Sequence, residues 1–425
     1  MEMDPEKRRQ QRQQKKQQAA RKQALLIRLG IAATVLVLCG IGILSFALRG
    51  RTGQPDTTVP STSAPQETVP DTPQEAVPET TAPTTVIHFA ATGDLNVTQR
   101  VVDSGGEAYD YSDVLLDVAY LLADADLSTV NLEGNLCGTP YGSTASAPQG
   151  LLEALRRAGV DMIQLANSYS LNRGVSGLLT TMDAVRQAGM ESVGVFRDAE
   201  EYRQKHGFTM FEVQGVRVAV VAFTKGMDGT TLPPGSEDCV NILYSDYDSV
   251  YQKINREKIQ TILQAVEAEK PDVTIALLHW GSEYNDTISK SQETICSLLR
   301  DNGVDAIIGT HPHYVHKITF DPETGFLAAY SLGDFLGDAA RAGSEYSVLL
   351  DLEITKNNET GEASITGYSY TPIFTAVEDG KPIRVLRIRE AMAAYEAGYH
   401  NAVSKELYDA MAYALTRIEA RIAGE

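Results

Sequence analysis

The sequence predicts a large α/β domain carried behind one membrane-spanning segment and a disordered linker. Three observations predict it. From Val86 onward, short apolar runs alternate with amphipathic stretches of helical period, which is the pattern of helices covering the faces of a sheet. Leu29 to Leu48 is a run of twenty residues without a charge. Between the two, Pro55, Pro60, Pro65, Pro70, Pro73, Pro78 and Pro83 recur among Thr, Ser, Glu and Gln.

The N-terminal pieces follow from charge and length. Residues 1–28 carry nine Lys/Arg against three acids and read as a basic cytoplasmic segment. Residues 29–48 as a helix reach about 30 Å, the thickness of a bilayer core. The run is longer than the apolar part of a signal peptide, and Ala47-Leu48-Arg49-Gly50 is a poor cleavage site. It therefore reads as an uncleaved single-pass anchor in the cell membrane, with the N-terminus cytoplasmic and the C-terminal domain extracellular. Residues 49–85 hold too little apolar surface to fold and form the linker, either a polyproline-like spacer through a cell wall or a flexible tether.

Charge then narrows the partners of the exported part. The whole chain is −19 and residues 1–48 are +6, so the remainder is −25. That balance argues against nucleic acid or an anionic membrane surface as a partner. An anionic polymer would need a local basic site or bridging metal ions. Cys39, Cys137, Cys239 and Cys296 form no CxxC, so neither a disulfide framework nor a zinc knuckle is expected.

Residues 86–375 are read as the main domain and 376–425 as a helical extension closing with a helix over 404–422. In order, strands are expected at 86–91, 127–131, 162–165, 192–195, 208–213, 216–223, 273–278, 306–308, 326–331, 347–354 and 363–371. Helices are expected at 111–123, 149–158, 178–188, 247–269 and 293–301. Gln214-Gly215 between two apolar runs reads as a tight hairpin turn.

Polar residues collect where strands end: Asp94, Asn131-Leu132-Glu133, Asn167-Ser168-Tyr169, His279-Trp280-Gly281 and the pair His311, His313. Carboxyl ends of strands in an α/β sheet form one rim, and ligands bind there. In an extended chain, imidazoles two residues apart project to one side, and Pro312 stiffens the backbone between them. Taken singly, each residue also serves as a cap, a turn former or a satisfied core histidine. Together they offer carboxylate, amide and imidazole donors without thiolates, a set suited to a divalent metal such as Mn, Fe or Zn.

These stretches carry a resemblance. Thr92-Gly93-Asp94, Asn131-Leu132-Glu133, Leu165-Ala166-Asn167, His279-Trp280-Gly281-Ser282-Glu283-Tyr284, Gly303 through His313 and Tyr330-Ser331-Leu332-Gly333-Asp334-Phe335 follow one another as in the CapA family. These are the poly-γ-glutamate capsule biosynthesis proteins, within the calcineurin-like metallophosphoesterase superfamily. The resemblance implies a four-layer αββα sandwich with metal-site positions at Asp94, Glu133, His279, His311 and His313. In that superfamily a metal-held hydroxide attacks a phosphoryl group.

The chain departs from the family where an Asn-His pair is usual: Ser168 stands at the ligating Asn and Tyr169 at the His expected to act as general acid. Asn172 stands at an acidic position and Thr310 at a further histidine. A phenol of ordinary pKa is poorly matched to proton donation at neutral pH. Arg173 beside Tyr169 either binds an anion or faces solvent.

The resemblance thus implies a membrane-anchored extracellular protein with a partly degenerate metal site. It would take part in synthesis, export or attachment of a capsular polymer such as poly-γ-glutamate, beside capsule synthesis or export proteins. An active metal-dependent phosphoesterase and a non-catalytic scaffold are the alternatives.

Overall fold

The computed structural model describes residues 83–425. The basic segment 1–28, the span 29–48 and nearly all of the linker 49–85 lie outside the described residues. Among the described residues no helix is long and apolar enough to cross a membrane.

The strands in chain order are β1 (Thr84–Asn96), β2 (Leu127–Glu133), β3 (Met162–Gln164), β4 (Glu191–Val193), β5 (Thr209–Val213), β6 (Val216–Thr224) and β7 (Val273–His279). They continue with β8 (Ala306–Thr310), β9 (Ile318–Asp321), β10 (Phe326–Ala329), β11 (Asp334–Leu336), β12 (Tyr346–Asn357), β13 (Ala363–Ala376) and β14 (Arg384–Arg387). One sheet has the order β14-β13-β12-β1-β2-β3-β4, with β11 also pairing with β1. The other has the order β5-β6-β7-β8-β10-β9. Parallel neighbours run through β1 to β4 and through β6, β7, β8 and β10, and antiparallel strands flank them: β12 beside β1, β5 beside β6 and β9 beside β10.

Strand alternation decides how the layers stack. Along β6, Val216, Val218, Val220 and Ala222 join the core that also holds residues of the first sheet, such as Ile87 and Val130. The intervening Ala219, Val221 and Phe223 face Ile259, Ile262 and Leu263 of helix Arg256–Glu269, and Ile295 and Leu299 of helix Lys290–Asp301. The second sheet thus lies between the first sheet and its own helices. Helices Gln149–Arg157, Gly174–Gln187 and Lys405–Ala423 bury their apolar stripes in the core of the first sheet. β7 reads Val-Thr-Ile-Ala-Leu-Leu-His and is buried throughout, as a central parallel strand covered on both faces must be.

Local chemistry explains where elements begin and turn. Gln214 and Gly215 both have positive φ, as a two-residue hairpin turn between right-twisted strands requires. Helix Lys290–Asp301 starts with a reciprocal capping box between Ser289 and Gln292.

Several expected boundaries moved. The helix expected at 111–123 is two short helices, Ser112–Leu115 and Ala119–Ala123. The helix expected at 247–269 begins only at Arg256, because Asp246 turns the preceding chain on itself by accepting from the backbone N–H groups of Gln252 and Lys253. Helix Ala199–Lys205 and strands β9, β11 and β14 were not expected; all are short, with too few residues to show a period. β14 pairs with β13 before the last two helices, Ile388–Glu396 and Lys405–Ala423.

Candidate metal centre

The centre is built where β1 changes partners. Over Thr84–Ala91 this strand pairs with β12, but at Asp94 it lies opposite Asp334 of β11 on one side and Asn131 of β2 on the other. Irregularities in the pairing around Asp94 permit the switch. Gly93 makes room for it: an added Cβ would collide with the carbonyl of Gly333, which accepts the Asp94 N–H at 2.9 Å. In the second sheet, His279 at the end of β7 lies opposite Thr310 of β8.

The five expected metal-site residues come together as two adjacent buried groups rather than one. Glu133, His279 and His311 form the first, with their candidate ligand atoms all within 4.8 Å of one another. Asp94 and His313 form the second with Asp334, under the same limit. His311 and His313 therefore serve different groups, and their ring centroids stand 6.2 Å apart. Their backbone corrects the extended geometry expected of the pair: φ is 93° at His311 and 60° at His313. A left-handed turn, not strand alternation, aims the two imidazoles. Asp94 and Glu133 likewise lie inside their strands, not after them.

Buried amides hold the carboxylates. Asn167 Nδ2 donates to Asn131 Oδ1 at 2.9 Å, and Asn131 Nδ2 donates to Asp94 Oδ1 at 2.6 Å. Asp94 Oδ2 accepts from the His311 N–H at 2.9 Å, tying the two groups together through one carboxylate. His279 Nδ1 lies 3.2 Å from Thr310 Oγ1, and its Nε2 lies 3.2 Å from Ser168 Oγ and 3.5 Å from Glu133 Oε1. Thr310 and Ser168, two of the departures noted above, thus both contact the same imidazole. His313 Nδ1 meets Asp334 Oδ1 at 2.7 Å, and Tyr284 stacks on its ring.

Electrostatics separates the histidines. Burial, then the neighbouring imidazoles and Lys225, pushes His279 and His311 well below the usual range, so both are neutral with lone pairs to offer. The 3.5 Å approach of His279 to Glu133 is accordingly not an ion pair. Burial also pulls His313 down, but the hydrogen bond and charge of Asp334 overcome it and hold the imidazole at about 10. Burial raises Glu133 well above an ordinary carboxyl, with Asp94 adding to it, and raises Asp94 and Asp334 as well.

The residues fit a metal. Glu133 Oε1 and His311 Nδ1 are buried with no hydrogen-bond partner. Such atoms are expensive to bury unless something else binds them. Three carboxylates in one buried place also call for positive charge beyond that of His313. Oxygen and imidazole donors without thiolate suit a hard or borderline divalent ion.

The other expected residues sit at the margin. Tyr169 is partly buried, and burial, then the charge of Glu133, raises its hydroxyl far above the ordinary phenol range. It is a poor proton donor there. Arg173 is exposed at the start of helix Gly174–Gln187 and lines a shallow pocket with Tyr169, Asn135 and Thr181, outside both groups. One further histidine near the pair, His316, is buried outside both groups, with Nε2 on the carbonyl of Asn285 at 2.8 Å. Asp334 was missed as a ligand, although it stands in the quoted stretch Leu332-Gly333-Asp334-Phe335. Lys225 was missed too: its Nζ lies 3.3 Å from His311 Nε2, and it follows an apolar strand as His311 and His313 do.

Residues 88–339 match the family described as bacterial capsule synthesis protein PGA_cap. The chain belongs to this family. All six residues of the two groups, from Asp94 to Asp334, fall within the matched stretch. Among PGA_cap relatives, the capsule biosynthesis protein CapA of Bacillus anthracis is 27% identical over 249 residues, 57% of this chain and 56% of that protein. The PGA biosynthesis protein CapA of Bacillus subtilis (strain 168) is 25% identical over 219 residues, 51% of this chain and 52% of that protein. The chain thus spans just over half the length of these curated relatives. A calcineurin-like phosphoesterase of Bacillus subtilis, YfkN, is 16% identical with a TM-score of 0.42, covering 78% of this chain and all of that one. A phosphatase of Mycoplasma pneumoniae is 14% identical with a TM-score of 0.41, covering 75% of this chain and all of that one.

Proposed function

We propose that this chain takes part in synthesis, export or attachment of a capsular polymer such as poly-γ-glutamate. One observation carries the reading: the stretch matched to the capsule family holds both buried carboxylate–imidazole groups. In this reading residues 29–48 anchor the chain in the cell membrane. Residues 1–28 are cytoplasmic, and the domain from residue 83 onward is extracellular, beside proteins of polymer synthesis or export. A divalent metal such as Mn, Fe or Zn would be held by Glu133, His279 and His311 and, once His313 gives up its proton, at the adjacent group by Asp94, His313 and Asp334. Bound there, the ion supplies positive charge and Lewis acidity for an anionic group of the polymer or its precursor. The chain's own residues orient it: Asn131 fixes Asp94, and Thr310 sets the face of His279.

The test is complementation of a polymer-producing cell lacking its own family member. The intact chain restores polymer, and His311→Ala and Asp94→Ala do not. Polymer restored equally by all three would refute a role for the centre. Metal analysis of the purified chain checks the ion separately.

A second reading is metal-dependent phosphoester hydrolysis, favoured by the adjacency of the two groups about Asp94. Its weakness is Tyr169, whose raised hydroxyl stands where a proton donor is needed. Manganese-dependent cleavage of a generic phosphodiester that disappears in His311→Ala would establish it.

A further inference from the structure

Lys225 follows β6 and turns its side chain onto the centre. Its Nζ donates to the carbonyl of Gly281 at 2.9 Å, lies 3.3 Å from His311 Nε2 and stands 4.6 Å above the Tyr251 ring. The residue is partly buried, and among the described residues no carboxylate touches its ammonium; Glu283 and Asp228 act on its charge only from farther away. An ammonium has three donors and the carbonyl takes one; a neutral His311 that offers its Nδ1 lone pair to a metal carries its proton on Nε2 and accepts nothing from Lys225. A cation withdrawn from water and left without an anion is costly. The partnerless Nδ1 belongs to the same imidazole that Lys225 approaches through Nε2, and Glu133 Oε1 is also without a partner. The unsatisfied cation and the open ligand atoms are therefore neighbours.

A divalent ion held by Glu133, His279 and His311 would stand close to this ammonium. Two cations so placed repel strongly away from bulk water, and an anion contacting both relieves the repulsion. We propose that Lys225 and the metal at Glu133–His279–His311 together bind one oxyanion, a carboxylate or a phosphoryl group. Lys225 donates a free N–H to one oxygen of the anion, and a metal bound at the neighbouring group would supply positive charge to another. Lys225 is then the residue that gives an otherwise acidic centre its preference for acidic ligands. This inference rests on the metal reading above.

The experiment uses the full chain in detergent, loaded with Mn²⁺, and titrates it calorimetrically with inorganic phosphate and with glutarate. Preference for phosphate marks a phosphoryl site, and preference for glutarate marks a carboxylate site. Lys225→Met is expected to keep its metal stoichiometry and to lose roughly tenfold to a hundredfold in affinity for the preferred anion, the size of one charge-assisted hydrogen bond. Lys225→Arg keeps most of that affinity. Equal anion binding by wild type and metal-loaded Lys225→Met overturns the proposal, and so does loss of metal in that variant, since Lys225 would then only support His311. A wild-type chain that takes up no metal refutes the metal reading itself, which is a different failure. If Lys225→Met does not fold, reductive methylation of the wild type decides: phosphate or glutarate should shield Lys225 in the metal-loaded chain, and unchanged labelling overturns the proposal.

Discussion

His313 Nδ1 stands 2.7 Å from Asp334 Oδ1 and 3.7 Å from Asp94 Oδ2, with all three side chains buried. The imidazole is held at about 10, against 6.5 for a free histidine. Its folded value is raised, so the native state binds more protons than the unfolded chain between these limits, and stability falls as pH rises. The imidazole's contribution is complete below pH 6.5 and is lost as pH passes 10. In chelator, the thermal stability of wild type relative to Asp334→Asn should therefore shrink from pH 6.5 to pH 10. A constant difference would refute the pairing. Asp334→Asn should also lower bound metal, measured by elemental analysis.

Asn131 receives from Asn167 and donates to Asp94, all within the core. Asn131→Ala removes one hydrogen bond from each neighbour, leaving Asn167 on the Leu132 carbonyl and Asp94 on the His311 N–H, and should cost about 1–3 kcal/mol in denaturant unfolding. Groups that orient ligands without touching the metal are worth about tenfold to a hundredfold in affinity. Metal titration of Asn131→Ala should show a loss of that size, and wild-type affinity would make the amide chain purely structural.

Tyr169 limits any hydrolysis by this centre. A histidine there would titrate nearer neutral pH than the raised phenol. A positioned proton donor is worth about 10²–10⁴ in rate. Tyr169→His together with Ser168→Asn should therefore raise metal-dependent phosphodiester cleavage by at least about 10². Turnover no greater than wild type would show that the position does not address the leaving group.

Gly309 packs against the carbonyl of Tyr330 and the indole nitrogen of Trp280, whose Nε1 donates to that same carbonyl at 2.9 Å. An added methyl has no room. Gly309→Ala should destabilise the domain by at least the roughly 1–3 kcal/mol of an overpacked core, read as a lower unfolding midpoint. An unchanged midpoint would mean that the strand shifts freely, and metal affinity should then be unchanged as well.

Much of the fold could be read from the residues because burial imposes periods. β6 and β7 announce themselves as apolar runs, the hairpin at Gln214-Gly215 by its turn chemistry, and the strand-end positions by polar residues breaking each run. Where pattern is short or broken, reading failed. β11 has three residues, and the stretch 247–255 looks helical but is turned back by Asp246.

Residue pattern alone reads out the alternating α/β order and the family, and singles out Asp94, Glu133, His279, His311 and His313 as candidate ligands. How these residues divide into two groups follows from long-range contacts. Asp94 and Asp334 are 240 positions apart and become neighbours because β11 pairs with β1 in a particular register. His311 and His313 are two positions apart and diverge because both adopt positive φ. Lys225 joins His311 only because the chain leaving β6 passes His279 and Gly281. Composition and spacing encode which groups can bind a metal. Strand register and backbone handedness decide which of them meet, and those depend on contacts between segments far apart in the chain.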